Sequence, residues 1–253
     1  MPKLMSQSLP LGSTYVLESA GGETASGRTQ QDLPGDEIYQ RIRDSVLRNR
    51  IAPGTKLAEV KLCELFGTNR ETVRRALIRL ASDGLVDYFP KRGAFVASPS
   101  EAQVEQVRDA RVAIESDISG RIAGRVDQSV LQELSRIATE QIELRQAGDL
   151  DAAVALSGSF HVTLAQASGN AFCVKYLVEL TALTSLALAK FAVPPESACP
   201  IEEHVDITAA LRAPDGVQAA NLMRAHLERV HNAILQSARR PAPSVDLGSL
   251  MRP

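Results

Sequence analysis

With 253 residues, 44% of them hydrophobic, the chain can bury one large core or two modest ones; 4% aromatic content and no tryptophan favour packed helices over sheets. Cys63, Cys173 and Cys199 are odd in number and form no Cys-x-x-Cys pair, which excludes a disulfide scaffold, while no apolar run approaches a membrane span and none follows Lys3 as a secretion signal, so a soluble cytoplasmic protein is expected. The formal charge of −2 is uneven: residues 34–98 carry 12 Lys and Arg against 8 Asp and Glu, residues 99–240 carry 13 against 18, and the basic first part is the one suited to a polyanion.

Residues 1–33 are rich in Gly, Ser, Thr and Gln and read as a flexible arm. A module over 34–98 follows. Asp36 opens a helix with Ile38, Ile42 and Val46 on one face, and Pro53-Gly54 breaks the pattern. A short helix over Glu59 to Phe66 ends at Gly67. A third helix, within "TNRETVRRALIRLASDG", turns Val73, Leu77 and Leu80 inward and ends at Gly84. Two short strands then flank a Pro-Lys-Arg-Gly turn. Three helices and a basic-tipped β-ribbon, in this order, make a winged helix-turn-helix. Its second paired helix presents Asn69, Arg70, Glu71, Thr72, Arg74 and Arg75 to the major groove, and the wing offers Lys91, Arg92 and Gly93 to phosphate or the minor groove.

Residues 99–103 read as a linker, with Ser100 as a cap. Residues 104–240 are helical in period throughout. Val104, Val107, Arg111, Ile114, Ile118 and Ile122 share a stripe; further helices begin near Asp127 or Ser129, at Asp149 and at Asn170, and two more cover 201–212 and 216–238. The expected architecture is mainly α, the winged module followed by an antiparallel bundle of six to seven helices, with a disordered tail over 241–253.

Three of the four histidines, His161, His204 and His226, fall on three different helices of this bundle, each among apolar neighbours. One histidine on an apolar face is usually core filler, but a divalent metal wants three or four converging donors, and bundle cores supply them from facing helices. His231 lies about 500° around the helix from His226 and need not take part. Arg111, on an inward stripe, needs an anionic partner. Glu115 at i+4 is one candidate and the carboxylate of a small organic acid another.

Two resemblances sharpen this reading. Leu57 and Glu59, Arg70-x-x-Val73-Arg74-x-Ala76-Leu77, Gly84-Leu85-Val86 and Arg92-Gly93 resemble the DNA-binding domain of GntR-family bacterial transcription regulators over about residues 36–97. Asn69-Arg70-Glu71 departs from the family's usual Ser-Arg followed by Thr or a small residue. Glu71 would repel phosphate or accept from a cytosine amino group. Arg111-Val-Ala-Ile-Glu115, Phe160-His161 with Ser168-Gly169-Asn170, Glu203-His204 and the segment through His226 are similar to the FCD branch of the family's FadR subgroup. That resemblance implies a divalent ion (Zn, Ni or Mn) held by His161, His204 and His226 together with an acid four residues before the first. This chain has Ser157 there, leaving a place beside Ser157 for water or an effector oxygen. It further implies a repressor-type regulator, a homodimer on a palindromic double-stranded DNA operator, with Arg111 and Ser157 on the side of a small carboxylate effector. The alternative is a metal-dependent enzyme acting on a small carboxylate and fused to a DNA-binding module, with Glu115, Glu203 or Asp206 as the base.

Overall fold

A computed structural model describes residues 35–194 and 202–240. The expected flexible arm over 1–33, the expected disordered tail over 241–253 and Cys199 lie outside the described residues.

The first module begins with α1 (Gly35–Leu47), β1 (Lys56–Leu57), α2 (Glu59–Phe66) and α3 (Arg70–Ser82), and closes with the hairpin β2 (Val86–Phe89) and β3 (Gly93–Val96). α2 stops where expected, because Gly67 adopts φ 61° and returns its N–H to the Cys63 carbonyl. Asn69 starts α3 by accepting a hydrogen bond from the Thr72 N–H at 2.9 Å. The sheet is antiparallel in order β1-β3-β2. Its outer strand β1, which pairs Lys56 with Phe95 and Leu57 with Ala94, was not expected, since two residues are too few to show a period. Ile38, Ile42, Val46, Val73, Leu77 and Leu80 close a core beneath α3.

The second module is all helical: α4 (Glu101–Ile122), α5 (Gln128–Gln146), α6 (Leu150–Ala167), α7 (Ala171–Lys190), α8 (Glu202–Arg212) and α9 (Gly216–Ala238). The joint is shorter than the linker read from the sequence. Ser100 accepts from the Gln103 N–H while the Gln103 side chain accepts from the Ser100 N–H, a reciprocal cap that starts the helix at Glu101, inside that stretch. Asp149 and Asn170 cap α6 and α7 through their side chains, whereas Asp127 precedes α5 without such a bond. α9 lies along α4, and α5 packs on both α6 and α8. The crossing of α4 and α9 is close enough that a Cβ on Gly216 would fall 2.4 Å from the Gly120 carbonyl oxygen.

α7 corrects the expectation that no segment approaches a membrane span. By length and a mean hydropathy of 1.5, Ala171–Lys190 is apolar enough to cross one. Packing accounts for part of that composition, since Leu177 enters the bundle core, Ala187 and Leu188 a smaller cluster against α4 and α9, and Ala182 and Leu186 the core of the first module, while Phe172 and Tyr176 are exposed. A helix with neighbours on several sides is apolar on several sides.

Candidate metal centre and nucleic-acid interface

α6, α8 and α9 turn His161, His204 and His226 to one point. All three are buried, and one ring nitrogen from each lies within 4.8 Å of the others. The outer nitrogens are all engaged. His161 Nδ1 meets Glu115 Oε2 at 2.5 Å, His204 Nδ1 meets Gln141 Oε1 at 2.7 Å, and His226 Nδ1 meets Glu203 Oε2 at 2.9 Å. These partners are themselves held, Glu115 by Arg111 Nε at 2.7 Å, Gln141 by donating to the Ala153 carbonyl, and Glu203 by Arg229 at 2.6 Å. The Phe160 ring stacks flat on His204 with centroids 4.0 Å apart, fixing that imidazole from its face.

This arrangement decides the tautomers. Carboxylate and amide oxygens accept only, so each Nδ1 carries the proton and each Nε2 presents a lone pair. His204 Nε2 and His226 Nε2 face one another at 3.2 Å. Burial, joined by His226, His161 and Arg111, pushes His204 well below the usual imidazole range; burial also brings His161 down to about 4, against the pull of Glu115. A divalent ion about 2 Å from each of the inner nitrogens would satisfy all three. Donors oriented from behind by carboxylate and amide are the usual support of such ions, so the residues fit the group.

Of the two partners considered for Arg111, the internal one, Glu115, is in place. Glu115 receives Nε and Thr184 Oγ1 receives Nη1 at 3.1 Å, but buried Nη2 has no hydrogen-bond partner. Burial opposes ionisation of Glu115, yet Arg111 and His161 together hold its carboxyl down at about 2. Arg111 lines a small cavity of about 20 Å³ together with Ser157, His161, Thr181, Thr184 and His226. Ser157 thus lines the same small space as His161 and His226. His231 is buried behind Thr184 and gives its Nδ1–H to the Leu227 carbonyl, away from the cluster.

Sequence reasoning missed the supporting residues. Gln141 was legible in principle, being a polar residue seven after Leu134 and four after Ile137 on an apolar stripe. Phe160 and Thr184 carried no such mark, since either would serve as ordinary core. Glu203 was singled out only as a candidate base beside His204; it serves His226 on another helix instead.

On the first module, Arg70, Glu71, Arg74 and Arg75 are exposed along one side of α3, while Val73, Ala76 and Leu77 are buried. Thr72 departs from that row. It is 9% exposed, and its hydroxyl and N–H both bond Asn69 Oδ1, which commits this pair to starting the helix. Lys91 and Arg92 sit exposed at the hairpin tip, Lys91 at φ 63° and Gly93 at φ 91° with open space where a Cβ would be. Arg92 lies over the rings of Phe89 and Phe95, which aim it along the wing. Tyr88, also unforeseen, donates to Glu59 Oε1 at 2.5 Å with the Arg74 guanidinium beside the same phenol, so strand β2 helps orient the recognition helix.

Residues 34–96 match the model of the bacterial regulatory proteins, gntR family, and residues 106–229 match that of the FCD domain. The HTH-type transcriptional repressor RspR of Escherichia coli (strain K12) is 30% identical over 203 residues, 79% of this chain and 88% of the relative. An HTH-type transcriptional regulator in an unstable DNA locus of Streptomyces ambofaciens is 31% identical over 212 residues, 83% of this chain and 86% of that one. A solved structure of a GntR transcriptional regulator from Rhodococcus sp. RHA1 has the same fold, with a TM-score of 0.69 and 23% identity, and covers 81% of this chain and 99% of its own.

Proposed function

The chain belongs to the GntR family of bacterial DNA-binding transcription regulators, with an FCD domain as its C-terminal half, and from that premise we propose that it is a repressor governed by a small carboxylate bound at a metal-assisted site. The single observation that carries the site is the unpartnered Nη2 of buried Arg111 beside three histidines whose free nitrogens converge. His161, His204 and His226 would hold the ion, of zinc, nickel or manganese type. When bound, the ion would act as a Lewis acid toward an effector oxygen. Arg111 contributes the one directed N–H that Glu115 and Thr184 leave unused, which a carboxylate oxygen can accept. Ser157, short and uncharged where the family's acid would stand, leaves room on that side. In the cytoplasm a homodimer would set two copies of α3 on the half-sites of a palindromic operator. Arg70 and Arg74 read bases, with Glu71 and Arg75 flanking them, and Lys91, Arg92 and Gly93 meet phosphate or the minor groove.

The three carboxylates considered as a base are placed otherwise: Glu115 is bound to Arg111 and His161, Glu203 to His226 and Arg229, and Asp206 is exposed. The family and its relatives are regulators, which supports a non-enzymatic role.

Two measurements test the proposal. Protein purified without chelator or affinity histidines should carry about one divalent ion per chain; no metal, and no thermal shift with Zn²⁺, Ni²⁺ or Mn²⁺, sinks the metal centre. Arg70→Ala should weaken binding to a selected operator by about 1–3 kcal/mol at fixed salt. Unchanged affinity would remove Arg70 from base reading.

A further inference from the structure

The cavity beside Arg111 has a volume of about 20 Å³, room for about one water molecule, and cannot by itself house more than the head of an organic acid. It shares a wall with a much larger space. Val154 on α6 and Ser185 with Leu188 on α7 line both this cavity and a half-open groove of about 400 Å³. That groove runs along the seam between the two modules. Its near side is Ala153, Val154, Leu188 and Ala189 of the bundle, and its far side is Val46 and Leu47 at the end of α1. Polar groups, among them Asn49, Arg145, Asp149 and Asp151, also line it. Where the shared wall runs over α6 and α7 the side chains are small: Ser157 and Gly158 line the inner cavity from one helix and Ser185 from the other, and a Cβ on Gly158 would meet Thr181 at 3.8 Å.

We infer that the two spaces form one ligand site and that its occupant is a carboxylate with an apolar arm, the head at Arg111 and the arm over Ser185 in the seam groove against α1. The inference rests on the reading of Arg111 as a carboxylate anchor and extends it to the class of acid. A groove walled mainly by aliphatic side chains rewards buried methylenes and offers little to a highly hydroxylated chain. It also explains how the ligand reports to DNA. The arm touches α1 itself, and α7, which supplies part of the shared wall, carries Ala182 and Leu186 into the core beneath α3.

The experiment titrates the zinc-loaded full chain with acetate, butyrate, hexanoate and octanoate at constant ionic strength, by calorimetry, and repeats the series on Ala189→Trp and Leu47→Trp, which fill the groove from the bundle side and from the α1 side and lie outside the small cavity. The expected result is a gain of about fourfold in affinity per added methylene until the groove is full. Both variants should bind acetate as the parent does and lose that gain, and operator release should follow the same order of chain length. Two variants at separate positions keep the test alive if one misfolds. A flat series in the parent, or a gain that persists in both variants, overturns the inference while leaving the anchor intact. Acetate that fails to bind, or binds equally to Arg111→Ala, brings down the anchor and the inference with it.

Discussion

Gln141 is a buried amide whose Oε1 accepts from His204 and whose Nε2 donates to the Ala153 carbonyl. Replacing it with leucine keeps the volume and removes the acceptor, so His204 loses both its tautomer and its aim. Gln141→Leu should lower zinc affinity about 10–100-fold in chelator competition. Equal affinity in the variant would show that Gln141 only fills space. His231 makes a different prediction, on stability. Burial, with help from Arg111, pushes it down to about 3, below its unfolded value near 6.5. The folded chain therefore favours the neutral ring; this contribution is complete above about pH 6.5 and is lost as pH falls toward 3. Within that window it adds a slope of about 1.4 kcal/mol per pH unit. Urea unfolding between pH 6.5 and 4.5 should show a shallower loss of stability in His231→Gln, and an identical slope would refute the assignment. The histidine triad was legible in the sequence because histidines are rare and these fell on separate helices. Glu115, Gln141 and Glu203 were not legible as its supports, because a contact between helices far apart in sequence leaves no periodic trace.

At the scale of elements, the ends of α3 are the informative places. Asn69 had been grouped with the base-reading residues, and the structure gives its Oδ1 to the first turn. Asn69→Ala should cost about 1 kcal/mol of stability while Asn69→Asp retains it, measured by chemical unfolding. If alanine is as stable as the parent, the cap is unimportant and Asn69 returns to the DNA face. At the other end Gly84 adopts φ 72°, and a Cβ there would sit 2.6 Å from Glu179 Cγ on α7. Gly84→Ala should destabilise by more than about 1 kcal/mol, and Glu179→Ala should recover only the steric part, because the left-handed backbone still disfavours alanine. Full recovery in the double variant would mean that backbone conformation contributes nothing. These helix boundaries were readable because glycine stops and side-chain caps are local signals. The strand Lys56–Leu57 was not, since its existence depends on Phe95 and Ala94, some 40 residues away in the chain.

For the whole molecule, the cores are not independent. Ala182 and Leu186 belong to the core of the winged module although α7 is a bundle helix, and the described residues fall in one compact unit. The chain should unfold in one calorimetric transition that moves as a whole when zinc is added. Two transitions, only one of them sensitive to metal, would show that the modules are thermodynamically separate. The sequence announced two modules through its charge asymmetry and its change of pattern near Pro99, but the bridge between them was hidden. Nothing in the composition of α7 tells which of its apolar residues face which neighbour.

The two imidazole nitrogens that face one another at 3.2 Å have a consequence for the order of events. With each Nδ1 bonded from behind, both inner nitrogens aim at one dry point that a cation would fix, so the ion should enter first, and only a metallated pocket is set to receive the acid. On the proposed reading, gene control then behaves as a two-key lock with a fixed sequence of turning: a cell starved of the metal would leave the operator state unchanged however much acid accumulates.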